Sequence, residues 1–351
     1  MKKRLCIIGF GGMGYGFHYH QTVDHDLIEL AGIYDIAESR VEKAKKKGIY
    51  TYSSLEEVLN DKTVDLVTIA TPNDSHLEIA VKCLEAGKNV ICEKPVTMSC
   101  AEYRIMVDAA KKAGKMLMVH QNRRWDADYL AMKKIYESGE IGTVFNIESR
   151  VHGSRGIPGD WRKEKIHGGG MLYDWGVHLI DQILQMVDSK IETVYCRMSH
   201  ITNDEVDDGF KLEMHFENGV DALIDLGTLN FISMPRFYMQ GTTGTAILKD
   251  WSDNIQVGSC REWYEKEVKP VLAGSGLTKT MAPRDDVTLE EYEIELPKSD
   301  VYDFYRNAVD VIEGKAEQFI KHEEVMRVLK VIEASFESDR LGMPVAFKED
   351  C

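Results

Sequence analysis

Three groups of residues in this 351-residue chain have types and spacings that could support chemistry. The first is Gly9-Phe10-Gly11-Gly12-Met13-Gly14, a G-x-G-x-x-G run with Asp35 about 20 residues beyond it. Gly9 suits a tight turn, and Gly11 lets backbone approach a pyrophosphate seated on a helix N-terminus. Gly14 suits close helix–strand packing. Asp35, ending the next strand, would accept hydrogen bonds from adenosine ribose hydroxyls. The expected ligand is a dinucleotide, NAD; the bland alternative is a glycine-rich turn without a ligand.

The second group is residues 168–181, GGGMLYDWGVHLID. Asp174 and His178 are i,i+4 on one helix and share a face. A carboxylate beside an imidazole fixes its tautomer and raises its proton affinity, as a general base requires. The alternatives are a helix-start cap for Asp174 and a packed core histidine for His178. A metal held by Asp174, His178 and Asp181 lacks cysteine or clustered histidine ligands, so no metal is expected.

The third group is a series of strand ends. Thr71-Pro72-Asn73 with His76, Glu93-Lys94-Pro95, and His120-Gln121-Asn122-Arg123 each follow an apolar run. In a doubly wound sheet such ends line one crevice, where ligands bind.

The elements that must position these residues follow from the patterning. Strands are expected at 5–8, 28–34, 49–52, 64–70, 90–92 and 116–119, with helices at 15–23, 39–47, 55–59, 76–86 and 101–113. That alternation implies a parallel sheet with right-handed crossovers. Beyond about residue 120 the pattern changes. After a helix at 129–137, alternating segments at 144–152, 193–200, 210–216, 222–226, 246–249 and 289–296 suggest a largely antiparallel sheet. Glu217-Asn218-Gly219 turns between two of them, and one helix, 172–186, interrupts the series. Helices at 302–310 and 323–341 close the chain. The expected fold class is α/β, in two domains, residues 1–120 and 121–351, with the last helices free to pack back on the first. Residues 258–286 read as an irregular loop, of a length that is usually either functional or mobile.

Composition narrows the function classes. Hydrophobic residues at 44% and charged residues at 29% describe a globular chain. A net charge of −15 repels phosphate backbones and argues against nucleic acid. The seven cysteines are scattered without a C-x-x-C pair, which suits free thiols in a reducing cytoplasm. No apolar run reaches the roughly 18 residues of a membrane span. Met1-Lys2-Lys3-Arg4 and the apolar residues after it mimic a signal peptide, but the apolar part is too short and reads as the first strand.

Taken together, the glycine run, Thr71-Pro72-Asn73 with His76, Glu93-Lys94-Pro95 and the Asp174/His178 segment resemble the Gfo/Idh/MocA oxidoreductases, in order and spacing, over nearly the whole chain. Residues 120–129 (HQNRRWDADY) are similar to the matching stretch of inositol dehydrogenases. The resemblance implies a Rossmann domain followed by an α/β domain whose open, mostly antiparallel sheet often joins subunits. It implies that Lys94 approaches the nicotinamide and the substrate hydroxyl, that Pro95 is often cis, that His178 is the acid/base supported by Asp174, and that Arg123 contacts substrate hydroxyls. Gly9 to Gly14, Asp35, Thr71, Pro72, Asn73, His76, Glu93, Lys94 and Asn122 would hold the cofactor. Residues 154–162 (SRGIPGDWR) and 278–284 (TKTMAPR) depart from a plain inositol dehydrogenase. Trp161 in the first could stack on a sugar or the cofactor, or anchor its own loop.

The implied activity is NAD-dependent hydride transfer at a secondary alcohol of a sugar, cyclitol or glycoside, by a homo-oligomer of two to four or more subunits. A non-catalytic NAD(P)-binding sensor of the same fold is the rival, and it need not keep Lys94, Asp174 and His178 together.

Overall fold

The computed structural model describes residues 2–260, 268–284 and 288–349. Five short strands build the first sheet: β1 (Lys3–Ile8), β2 (Ile28–Tyr34), β3 (Leu66–Ile69), β4 (Asn89–Cys92) and β5 (Leu117–Val119). All are parallel, in the order β2-β1-β3-β4-β5. β3, β4 and β5 are buried on both faces, which is why they read as unbroken apolar runs. The order reverses beside β1, so the crevice opens over the carboxyl ends of β1 and β3.

The strand expected at 49–52 is a single bridge, Ile33 to Thr51. The chain leaves the sheet at once because Ser54 caps the next helix, Leu55–Asn60, by accepting from the Glu57 amide. The helix after the glycine run covers residues 12–22, and its middle, Gly14–Tyr19, is a π-helix. Ser99 caps the helix Cys100–Ala113, and Gly114 ends it at φ 61°.

The second sheet has nine strands: β6 (Val144–His152), β7 (Ile191–Ser199), β8 (Gly209–Phe216), β9 (Asp221–Gly227), β10 (Phe237–Gly241), β11 (Gly244–Leu248), β12 (Ile255–Ser259), and, after the hairpin β13 (Val271–Ala273) and β14 (Gly276–Thr278), β15 (Glu290–Ile294) and β16 (Val345–Ala346). Their order is β15-β12-β11-β10-β6-β9-β8-β7-β16, antiparallel except where β6 meets β9. Leu212, Met214 and Phe216 on β8, with Ala222, Ile224 and Leu226 on β9, form the buried face; Lys211, Glu213 and His215 on β8, and Asp221, Leu223 and Asp225 on β9, alternate with them. Gly219, at φ 84°, makes the expected turn between these two strands. Strands β10 (FYMQG) and β12 (IQVGS) were not expected, because each is only five residues long and is interrupted by glutamine and glycine. The expected irregular stretch 258–286 contains the β13–β14 hairpin, and its residues 261–267 and 285–286 lie outside the described residues.

The helices Tyr302–Ile312 and His322–Leu341 pack back on the elements around the first sheet. The Phe304 ring lies 4.7 Å from the His120 ring, Tyr103 Oη meets His322 Nδ1 at 2.7 Å, and the Cys100 amide donates to Glu333 at 2.8 Å. Among the described residues no helix is long and apolar enough to cross a membrane. The six described cysteines are free and buried.

Candidate active site

The glycine run forms a cradle with a tight side and an open side. A Cβ on Gly9, whose φ is 89°, would lie 2.5 Å from the Ala70 carbonyl oxygen, and one on Gly14 would collide with the Gly9 carbonyl. Above Gly12 nothing lies within 4 Å, and above Gly11 only the Arg40 guanidinium approaches, at 3.3 Å. The backbone of residues 11 and 12 is therefore free to meet a diphosphate, and the residues present fit a dinucleotide. Met13 is half-buried there. The Phe10 ring is buried against Tyr15, 5.3 Å between centroids, so Phe10 offers only its backbone. Ile36 is 90% exposed just past β2, an apolar surface that sequence reading overlooked.

Asp35 is already engaged. Its carboxylate accepts from the Phe10 amide at 2.6 Å and the Ala37 amide at 2.8 Å, and Arg40 Nη1 lies 3.3 Å from it. Arg40 thus stands between Asp35 and Gly11.

Three residues expected at the cofactor face inward instead. His76 is fully buried and bridges the Thr71 and Pro95 carbonyls, each at 3.0 Å, tying the loop after β3 to the loop after β4. Burial lowers its pKa. Asn73 is buried, and its amide donates to the Gly168 carbonyl at 2.9 Å, which fixes the glycine-rich segment to the first sheet. Glu93 is buried between two imidazoles: His18 Nε2 and His120 Nδ1 each lie 2.8 Å from its Oε1. His18 Nδ1 meets the Tyr305 hydroxyl. Burial pushes the Glu93 carboxyl up, but His120 and His18 outweigh it and hold it well below its ordinary value. These three side chains could hold a cation, since their ligand atoms lie within 4.8 Å of one another; here they satisfy each other by hydrogen bonds. Thr71 and Pro72 are half-buried, and the Thr71 methyl lies 3.0 Å from where a Cβ on Gly9 would stand.

Lys94 extends from the end of β4 to the helix start. Its Nζ lies 3.2 Å from Asp174 Oδ1 and 2.8 Å from the Asp174 carbonyl oxygen. The other Asp174 oxygen meets Arg162 Nε at 3.2 Å. Burial raises the Asp174 pKa, yet Lys94 and Arg162 together bring it below its ordinary value.

No hydrogen bond joins Asp174 to His178, contrary to the i,i+4 expectation. The helix is a π-turn over Leu172–Gly176 and an α-helix only from Val177, so it winds more slowly between the two residues. His178 Nδ1 is buried without a partner. Burial, then the charges of Lys94 and Arg123, hold the imidazole well below its usual pKa, which favours its neutral form. The raised proton affinity expected from Asp174 is absent. Both oxygens of Asp181 are taken by Arg124, at 2.7 and 2.8 Å, which removes it from the Asp174/His178 group.

Beyond His178 lies a stack that sequence reading missed. The Trp175 ring is 6.1 Å from the His178 ring, Arg123 lies over Trp175 at 4.1 Å, and Trp251 is 5.9 Å from Trp175. Arg236 lies 4.5 Å from the Trp251 centroid and is held by Asp128 at 3.1 Å, Ser149 at 2.6 Å and Gln182 at 3.0 Å. Arg123 also pairs with Asp126 at 2.8 Å. Asn122 is adjacent, its Oδ1 buried without a partner. Trp161 lies under Arg162, 4.7 Å away, and so reaches the site through the guanidinium that grips Asp174.

Similarity to known proteins agrees with this geometry. Residues 3–121 match the family described as "Oxidoreductase family, NAD-binding Rossmann fold", and residues 129–247 match the GFO/IDH/MocA C-terminal domain. The chain belongs to the Gfo/Idh/MocA oxidoreductases. An NAD-binding protein from Listeria innocua has a solved structure similar at TM-score 0.95 and 47% identity, covering 98% of this chain and 99% of that one. An uncharacterized oxidoreductase of Schizosaccharomyces pombe is 30% identical over 95% of this chain and 96% of its own. A scyllo-inositol 2-dehydrogenase (NADP(+)) of Bacillus subtilis is 28% identical over 96% and 94%. This member of the family is thus an oxidoreductase with an NAD-binding Rossmann domain, as the resemblance implied.

Proposed function

We propose that this protein transfers hydride between NAD and a secondary alcohol or ketone of a sugar, cyclitol or glycoside. The observation that carries the reading is the meeting of Lys94, from the first sheet, with Asp174 on the helix that presents neutral His178. NAD, when bound, supplies the carbon that takes the hydride. His178 accepts the hydroxyl proton as the carbonyl forms and returns it in the reverse direction. Lys94 donates to the substrate oxygen and stabilises its developing negative charge. Asp174 holds the ammonium in place, and Arg162 fixes Asp174 in turn.

The charges around His178 pair off. Lys94 and Arg162 share Asp174, Arg162 also meets Asp160, Arg123 has Asp126, and Arg236 has Asp128, four cations against four carboxylates. That balance suits a neutral polyol better than an acid. The relatives named as inositol dehydrogenases point the same way.

The finer parts of the reading are a division near residue 120, a cytoplasmic location supported by buried free thiols, and a homo-oligomer. Half-buried Leu223, Tyr238 and Ile247, on the outward face of the second sheet, support the last. The purified protein, incubated with NAD and a panel of inositols, hexoses and glycosides, is expected to generate the near-ultraviolet absorbance of NADH with at least one of them. NAD binding without turnover on any polyol would favour the sensor instead.

A further inference from the structure

Next to Arg123 a cavity of about 360 Å³ opens to solvent. Phe17, Trp125 and Trp251 give it aromatic walls, while Asn122, Asp126 and Ser299 line its polar edge. Trp251 lies in the turn between β11 and β12 and is 37% exposed. Its ring is backed by Arg236, a buried guanidinium that donates to Ser149 and Gln182 and pairs with Asp128, so the indole rests on a fixed plate. Arg123 belongs to both spaces: it lines the cavity and covers the Trp175 ring beside His178. The segment 278–284 contributes no residue to this cavity.

Flat aromatic faces bordered by carboxylates and an amide match a pyranose ring. Its axial C–H groups cover an aromatic face, and its equatorial hydroxyls donate to acceptors at the rim. We propose that this cavity binds the second ring, or the aglycone, of a glycoside whose first ring reacts at His178, with Trp251 as its stacking platform. The inference rests on the function proposed above and narrows its substrate class from any polyol to glycosides.

Turnover is to be compared for glucose, myo-inositol, methyl β-glucoside and 4-nitrophenyl β-glucoside, in the wild type, Trp251→Ala and Trp251→Phe. Calorimetric titration of 4-nitrophenyl β-glucoside into the NADH-loaded protein runs in parallel, with Tm as a check on folding. The wild type is expected to prefer the larger glucoside. In Trp251→Ala the ratio of kcat/KM for 4-nitrophenyl β-glucoside to that for glucose should fall about tenfold or more, mainly through KM, and Trp251→Phe should restore most of it. An unchanged ratio overturns the subsite while leaving the dehydrogenase reading intact. If no compound is turned over, the function fails separately; binding that Trp251→Ala abolishes and Trp251→Phe retains then still supports the subsite, and absent or Trp251-independent binding overturns it.

Discussion

Lys94 and Asp174, eighty positions apart in sequence, meet at 3.2 Å and lock the end of β4 to the start of the helix bearing His178. This contact makes one site out of a strand end of the first sheet and the helix of Asp174 and His178. Substituting Lys94 by Met should lower kcat by roughly 10²–10⁴-fold, because the developing oxyanion loses its donor. Affinity for NAD should change far less. A kcat within about threefold of the wild type would remove Lys94 from the chemistry.

Cofactor choice depends on Asp35 and Arg40 together. The carboxylate would repel a 2′-phosphate, while the guanidinium 3.3 Å away would attract one. NAD should be preferred, with Arg40→Gln widening the preference and Asp35→Ser narrowing or reversing it. Dissociation constants for both cofactors in the three proteins decide this; tighter NADPH binding by Arg40→Gln would contradict it.

Much of the site was legible in the sequence because local backbone demands leave signatures. The glycine run, the strand ends and the Asp174/His178 segment are each set by nearby chain geometry. What was hidden depends on pairing at a distance. Trp251 reaches Trp175 only because the β10–β11 and β11–β12 pairings deliver its turn there. Glu93 read as a cleft residue because nothing local shows that His18 and His120 enclose it. The Asp174–His178 contact was misread for a different reason: spacing i,i+4 assumes an α-helix, and the intervening turn is π.

The glycines separate packing from binding. Gly14→Ala should destabilise the fold, since its methyl would meet the Gly9 carbonyl. Gly12→Ala should leave Tm unchanged, because nothing lies within 4 Å, yet weaken NAD binding by crowding the diphosphate. Thermal melts and NAD titrations of both variants check this; unaltered NAD affinity in Gly12→Ala would argue against the assigned cradle.

Acid should destabilise the protein through its buried imidazoles. His18, His76 and His178 are each lowered, first by burial, so the unfolded chain binds protons on them below about pH 6.5 while the folded chain does not. Stability is therefore greatest above that pH, declines as pH falls, and stops declining from this cause once the folded imidazoles protonate. Tm should drop between about pH 7.5 and pH 5, and His76→Gln should flatten the slope. A level Tm across that range would contradict the burial argument.

The central claim is that neutral His178 moves the hydroxyl proton. Its most direct test is the rate of NAD reduction by His178→Asn with the best substrate from the panel, alongside NAD affinity. A fall in kcat of roughly 10²–10⁴-fold is expected, with NAD bound nearly as tightly as before. Turnover by His178→Asn at the wild-type rate would contradict it and move the base elsewhere, to Lys94 first.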